Sequence, residues 1–559
     1  MPRRHALEWP HPVGGEDCQS LQPRRAPSED RALASRLLQS TAVFSVMTMV
    51  SRVFGYLRDM VLAVIFGATG GTDAFFVAFR IPNFMRRLFA EGAFAQAFVP
   101  VLSEYKERGD GSSLKDLVDH VAGSLLAILV LITAVGVLAA PILISVFAPG
   151  FVDEADRHDL ATDMLRLTFP YLLFVSLTAF AGGVLNSFGR FAVPALTPVL
   201  LNLSLIGTAL WLAPRMAEPI EALAWGVLIA GIAQLLFQLP FLMRLGLLPR
   251  PRLRAGHEGV RRVVGLMLPA IFGSSVVQIN LLFDTLIASF LASGSISWLY
   301  FSDRFVELPL ALFGIAIGTV ILPRLSRHHA SGDARGFSDT LDWGLRASLL
   351  VAIPAMVGLI CLAGPILATL IQYREFTADD THMSALSMMA FAFGLPGFIL
   401  VKVLGPGFFS RQDMRTPVRI GVIAMLANMG LNLLLVVPWT ALGVAGPHAG
   451  LATATALASY INAGLLYRRL AQGGYFRLTH GWVGWIARIG LAALLMGLVL
   501  TLVTPDLDVW SRWGAVQRAA HLLALVALGL GLYGLALWGM GLGPRRLRAQ
   551  LGGGRGDLV

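Results

Sequence analysis

The sequence predicts an all-α membrane protein of fourteen transmembrane helices, built as two six-helix pseudo-symmetric lobes in parallel repeat plus two C-terminal helices. Three observations carry this expectation. Of 559 residues 56% are hydrophobic and 14% charged, with mean hydropathy +0.69, whereas a water-soluble domain carries about 25% charged residues. Apolar stretches of the roughly 20 residues that a bilayer-spanning helix needs recur along nearly the whole chain. Two separated anchors also repeat at one spacing.

Residues 1–36, with Pro-Arg clusters and Gly14-Gly15, lack the apolar core of a signal peptide and read as a disordered cytoplasmic extension. The apolar stretches follow at roughly 38–66, 73–102, 118–147, 160–187, 193–213, 219–243, 263–292, 297–323, 343–371, 383–409, 417–438, 443–467, 482–503 and 516–541. Being continuous and rich in Leu, Ala and Gly without strict alternation, they favour helices over a membrane barrel. Pro100-Val101-Leu102-Ser103 matches Pro323-Arg324-Leu325-Ser326, and the Ser187 to Pro194 loop matches Ser410 to Pro417, both at an offset of 223 residues. Six spans separate the copies, so both have the same orientation, as in transporters with parallel repeats. The organisation expected is an N-lobe over 37–246, a basic loop over 247–262, a C-lobe over 263–472, two further spans within 473–543 and a basic tail over 544–559.

The charge distribution sets the orientation, because Lys and Arg near span ends stay on the cytoplasmic side. Loops on one side carry Lys106, Arg108, Arg250, Arg252, Arg254, Arg415 and many others; the opposite loops hold only Arg157, Arg215, Arg374 and Arg512 among several acids. A multi-pass cytoplasmic (inner) membrane protein with both termini cytoplasmic is therefore expected. The net charge of +10 belongs to this asymmetry and implies no nucleic acid. Cys18 and Cys361 form neither a disulfide framework nor a metal site. No Gly-rich phosphate loop or nucleophile–base arrangement is present, so an enzyme is not expected. The pair His328-His329 and His257 fall in charged loops, where solvent exposure is expected in preference to metal binding.

Charges inside apolar stretches are the functional signal. The first stretch holds Arg52, Arg58 and Asp59, the second Asp73, Arg80, Arg86, Arg87 and Glu91, and the eighth Asp303, Arg304 and Glu307. A centrally placed Arg costs about 2.5–3.5 kcal/mol on insertion scales. Local pairing could neutralise some of them: Arg52 with Asp59, Arg87 with Glu91, and Arg304 with Glu307 share helical faces. The remainder fits a central aqueous cavity whose planar guanidinium forks suit a phosphate-bearing anion; the competing reading is a structural network of ion pairs and snorkelling ends. Asn280 and Asp284 in the seventh stretch share a face and read either as a proton or cation site or as a hydrogen-bonded acid, with Lys402 a candidate partner. Pro170, Pro309, Pro354, Pro396 and Gly405-Pro406-Gly407 are candidate bending points.

Ser51-Arg52-Val53-Phe54-Gly55 with Arg58-Asp59, Thr72-Asp73-Ala74-Phe75-Phe76, Pro82-Asn83 with Arg86-Arg87, and Phe89-Ala90-Glu91-Gly92-Ala93-Phe94 resemble the MurJ (MviN) lipid II flippases of bacterial peptidoglycan synthesis, in the MOP superfamily. The resemblance continues through Ala292-Ser293-Gly294-Ser295, Ser302-Asp303-Arg304 and Ser410-Arg411-Gln412-Asp413. It implies translocation of lipid II between membrane leaflets, with Arg52, Arg58 and Arg304 contacting the pyrophosphate and sugar head, and Asp73, Arg86 and Glu91 at further sensitive positions. It also implies that the last two spans hold the undecaprenyl tail and that Asp284 is a candidate sodium ligand, although the eleventh span offers Asn428 and Asn432 and no carboxylate. No cofactor is implied beyond coupling to Na+, H+ or membrane potential. Partners implied are lipid II, membrane lipids and the cell-wall synthesis machinery. A flippase for another polyprenyl-linked oligosaccharide and a drug/cation antiporter of the same superfamily are the alternatives; an antiporter for organic cations should line its cavity with acids.

Overall fold

A computed structural model describes residues 27–87, 94–253, 256–479 and 481–543, with side chains described from residue 46 and omitted over 268–278. The chain is helical, and among the described residues eleven helices are long and apolar enough to cross a membrane. In chain order the helices are α1 (Pro27–Phe66), α2 (Gly70–Arg86), α3 (Phe94–Glu107), α4 (Gly111–Leu138), α5 (Ala140–Phe147), α6 (Ala155–Thr168), α7 (Tyr171–Ser187), α8 (Ala192–Gly207), α9 (Glu221–Arg244), α10 (Glu258–Ala288) and α11 (Ser295–Pro309). They continue with α12 (Ala316–Ala330), α13 (Ala334–Cys361), α14 (Ala363–Leu370), α15 (Ala378–Leu404), α16 (Pro406–Phe409), α17 (Arg415–Ala441), α18 (His448–Gln472), α19 (Trp482–Val503), α20 (Leu507–Arg512) and α21 (Ala515–Gly539). The expected first, second and seventh spans fall on α1, on α2 with α3, and on α10, each partly outside the residues with described side chains.

The repeat seen in the sequence recurs in the helix boundaries. Helices α4, α5, α6 and α8 begin at 111, 140, 155 and 192, and α13, α14, α15 and α17 at 334, 363, 378 and 415, the same offset of 223. The caps repeat as well. Asp110 accepts from the Ser112 N–H ahead of α4, and Asp333 from the Gly336 N–H ahead of α13, each satisfying a backbone donor that the first helical turn leaves open. The repeat diverges at one proline: α6 and α7 are separated at Phe169 and Pro170, whereas the corresponding position 393 is Phe and α15 runs through it. A proline has no N–H to give the preceding turn.

Two expectations about boundaries and bends are modified. Helix α1 starts at Pro27, inside the segment read as an extension over 1–36. Pro27 suits a first helical position and the Ser-Glu-Asp that follows suits a first turn. Of the expected bending points, Pro170 and Gly405 fall between helices and Pro309 precedes a wider-turned segment over Leu310–Ile315, while Pro354 and Pro396 lie inside continuous helices.

The described chain divides into two compact units, one of 27–297 with 374–376 and the other of 298–373 with 377–543. In the first, α1 packs on α8, α2 on α6, α7 on α9, and α10 on α3. That last contact places α10 in this unit, although the repeat groups it with the C-lobe. Phe94 stacks on Phe98, with Phe180 tilted against both, in a buried cluster with Leu117, Val118 and Leu185. In the second unit α15 packs on α13 and α18, and α13 also on α19, which pairs with α21. Trp485, Ile489, Ala492, Met496 and Trp510 form the core of that last layer.

Candidate functional site

In the first unit most of the charged residues of α1 and α2 are held by separate sets of partners. Arg58 is buried, and its Nε and Nη2 donate to Asp59 Oδ1 at 2.9 and 2.6 Å while Nη1 donates to Asn202 Oδ1 of α8 at 3.1 Å. Asp59 is thus engaged by its sequence neighbour and not by Arg52, the pairing that the seven-residue spacing had allowed. Arg52, half-buried two turns earlier, has no hydrogen bond or ion pair among the described residues. Arg86 donates from Nε to Asn83 Oδ1 at 2.9 Å. Tyr171, which opens α7, is fully buried. Arg80 of α2 donates to the Thr285 hydroxyl of α10.

Asp73 is fully buried and makes an unusual cap. Its carboxylate accepts from the Gly294 N–H at 2.7 Å and from the Ser297 N–H and Oγ at 2.8 and 2.5 Å. Those donors open α11, so a side chain more than two hundred positions earlier satisfies this helix N-terminus, where a negative charge is also favoured by the helix dipole. Gly294 adopts φ 95°, a conformation that costs glycine nothing. Arg157 of α6 completes this set of partners with an Nη2–Oδ2 contact of 2.7 Å to Asp73, its guanidinium also lying 4.0 Å over the Phe151 ring. Charge counting had assigned Arg157 to a loop; the acids around it in sequence, Asp153 to Asp159, gave no sign that its partner is Asp73.

Arg304 belongs to the second unit. It is half-exposed, lies 5.0 Å over the Tyr300 ring, and contacts Glu307 at 3.0 Å, the pairing expected from the three-residue spacing. In α10, Asn280 donates to Asp284 at 3.3 Å, in line with their shared face. Asn432 donates to Asn428 at 2.9 Å in α17. Glu91 lies outside the described residues. The residue pairs that sequence spacing could not find, Arg58 with Asn202, Asp73 with Arg157 and Ser297, and Arg80 with Thr285, all join different helices.

The family model described as lipid II flippase MurJ matches residues 62–517. The chain belongs to the MurJ lipid II flippase family. Among its relatives, a protein named probable lipid II flippase MurJ from Vibrio cholerae is 45% identical over 524 residues, covering 92% of this chain and 98% of the relative. Another, named lipid II flippase MurJ, from Burkholderia cenocepacia is 39% identical and covers 90% and 98%. A solved MurJ structure titled as an inward closed conformation has TM-score 0.73 at 26% identity, with 89% of this chain and 98% of that one covered. An inward-facing multidrug resistance MATE transporter of the MOP superfamily matches with TM-score 0.62 at 14% identity over 77% of this chain and 98% of its own, a likeness of fold alone. The multi-pass, all-helical MurJ fold expected from the sequence is therefore the one observed.

Proposed function

We propose that this chain is a lipid II flippase, moving the undecaprenyl-pyrophosphate-linked peptidoglycan precursor from the inner to the outer leaflet of the cytoplasmic membrane by alternating access. The observation that carries the reading is its 45% identity to a named lipid II flippase across nearly the full length of both proteins. Such a protein is a transporter and makes or breaks no covalent bond. The guanidinium groups of Arg58 on α1 and Arg86 on α2 belong to one unit, and such planar forks pair bidentately with phosphate oxygens, which supports a binding role for them. Arg52, with no protein partner among the described residues, is the cation most available to a ligand.

The finer reading has fourteen spans, twelve of them in two parallel six-helix lobes, with both termini in the cytoplasm of an inner-membrane protein. Helices α19 and α21, outside the repeat, would accommodate the polyprenyl tail; exposed Leu494, Leu498, Leu502, Leu523 and Leu530 supply an apolar surface for it. Membrane potential or a Na+ or H+ gradient drives the cycle, with Asp284 the candidate ion-responsive group. One charge crossing 100 mV is worth about 2.3 kcal/mol. Cell-wall synthesis enzymes are the proposed protein partners.

The test is complementation in cells depleted of their own lipid II flippase, with lipid II exposure at the outer leaflet as readout. The wild-type chain should restore growth and exposure, and Arg52→Ala, Arg58→Ala and Arg304→Ala should each express and fail. A wild-type chain that inserts in the membrane yet leaves exposure at the depleted level would overturn the reading. Depolarisation that leaves exposure unchanged would remove membrane potential as the drive.

A further inference from the structure

The basic loop ahead of α10 returns to the start of α4, where three side chains meet that the proposed transport does not use. Asp116 and His120 stand four residues apart on α4, hence on one face, and His257 is the residue immediately preceding α10. One ligand atom from each lies within 4.8 Å of the other two. His257 Nε2 is 3.1 Å from Asp116 Oδ2, and the His120 and His257 rings stack with centroids 4.6 Å apart. Sequence reading expected His257 to be solvent-exposed in its charged loop; its side chain is only 13% exposed, and that of His120 7%. The exposure argument failed because the loop folds back, its Arg252 N–H donating to the Asp119 carbonyl.

Two details favour a ligand over a self-sufficient hydrogen-bond cluster. His257 Nδ1 is buried with no hydrogen-bond partner, so hydrogen bonding within the protein leaves this imidazole incompletely satisfied. His120 Nδ1 is held at 2.8 Å by the Asp116 carbonyl oxygen, the kind of backbone contact that fixes ring orientation and tautomer in metal-binding histidines and leaves the other nitrogen to coordinate. The neighbouring acid is otherwise engaged: Asp119 takes the Lys115 ammonium and the Arg250 N–H. Asp116 is therefore the carboxylate left to the two imidazoles.

We propose that Asp116, His120 and His257 form a binding site for a first-row divalent transition metal ion, with Zn2+ the best-suited class. Two imidazole nitrogens and one carboxylate oxygen are a borderline-soft donor set that suits such ions over Mg2+ or Ca2+. Donors around a tetrahedral ion stand roughly 3–3.5 Å apart, so binding must draw the three side chains closer than the observed 4.8 Å and turn the two imidazoles out of their stack. The remaining coordination positions go to water. Bound metal would clip the first residue ahead of α10 to α4, holding the cytoplasmic entry of α10 in place.

The experiment uses the full chain, purified in detergent with its affinity tag removed, freed of metal with a chelator and then titrated with Zn2+ and Co2+. Binding of about one ion per chain, a visible d–d absorption for the Co2+ form, and a Zn2+-dependent rise in the unfolding temperature are expected. His120→Gln and His257→Gln, each confirmed monodisperse, should weaken binding about tenfold or more and lose the thermal response. His328→Ala with His329→Ala should keep both. No uptake by the wild-type chain, or uptake undiminished in His120→Gln and His257→Gln, overturns the site.

Discussion

Asp73 and Arg157 form an ion pair of 2.7 Å whose side chains are 0% and 6% exposed, joining α2 to α6 while the same carboxylate caps α11. The arrangement concentrates on one acid what would otherwise be three separate deficits: a buried cation, a buried carboxylate and an open helix N-terminus. Breaking a buried pair by removing one partner typically costs about 3–5 kcal/mol, whereas replacing both can be close to neutral. Arg157→Met should therefore destabilise the protein by about that amount, and Asp73→Asn combined with Arg157→Met should recover part of the loss. Unfolding midpoints of the detergent-solubilised variants check this; equal stability of wild type and Arg157→Met would refute it.

Arg518 in the first turns of α21 meets carbonyls and, among the described residues, no acid. Its Nε donates to Trp510 and Trp513, Nη1 to Ala368 and Gln372, and Nη2 to Ser511, at 2.8–3.0 Å. Those oxygens belong to the ends of α14 and α20, where helices leave carbonyls unpaired and a cation is favoured. A lysine keeps the charge but has only three donors on one atom. Arg518→Lys should thus lose about 1–3 kcal/mol, read as a lower unfolding midpoint, with Arg518→Met lower still.

Gly67 ends α1 with φ 63°, its N–H returning to the Ala63 carbonyl at 2.9 Å, and a Cβ there would lie 2.5 Å from the Glu375 carbonyl oxygen. Only glycine fits both the left-handed turn and the close approach. Gly67→Ala should destabilise by about 1–3 kcal/mol. Gly109→Ala, also at positive φ (75°) but with open space around it, should cost less; the two midpoints compared in one buffer give the answer.

The cap of α4 sets a pH dependence. Hydrogen bonds from the Ser112 and Ser113 hydroxyls and the Ser112 N–H hold the Asp110 carboxyl down at about 2, against an ordinary 3.8. A depressed carboxyl contributes its stabilisation fully above the unfolded value and loses it as pH falls toward the folded one. The gap in midpoint between wild type and Asp110→Ala should be constant from about pH 6 down to about pH 5 and should close as pH falls through the window from 3.8 to about 2. A gap that widens on acidification would contradict the assignment.

Composition and patterning by themselves determined that the chain is a helical membrane protein, the approximate placement of its long apolar helices, and that helix starts in its two halves repeat at an offset of 223. These are one-dimensional properties: each span needs its own run of apolar residues, and each cap needs its own side chain. The motifs around Arg52, Asp73 and Arg304 also carried the family resemblance. Spacing found the Arg304–Glu307 pair, but only the structure decided the partners of Asp59, Asp73 and His257. Asp59 took Arg58 although spacing also allowed Arg52; Asp73 took Arg157 and the opening turn of α11; His257 folded against Asp116 and His120 although its charged loop suggested exposure. Helical spacing ranks neighbours within a helix, but with little water in the hydrocarbon a buried charge must find a partner wherever packing brings one, and that proximity has no period along the chain.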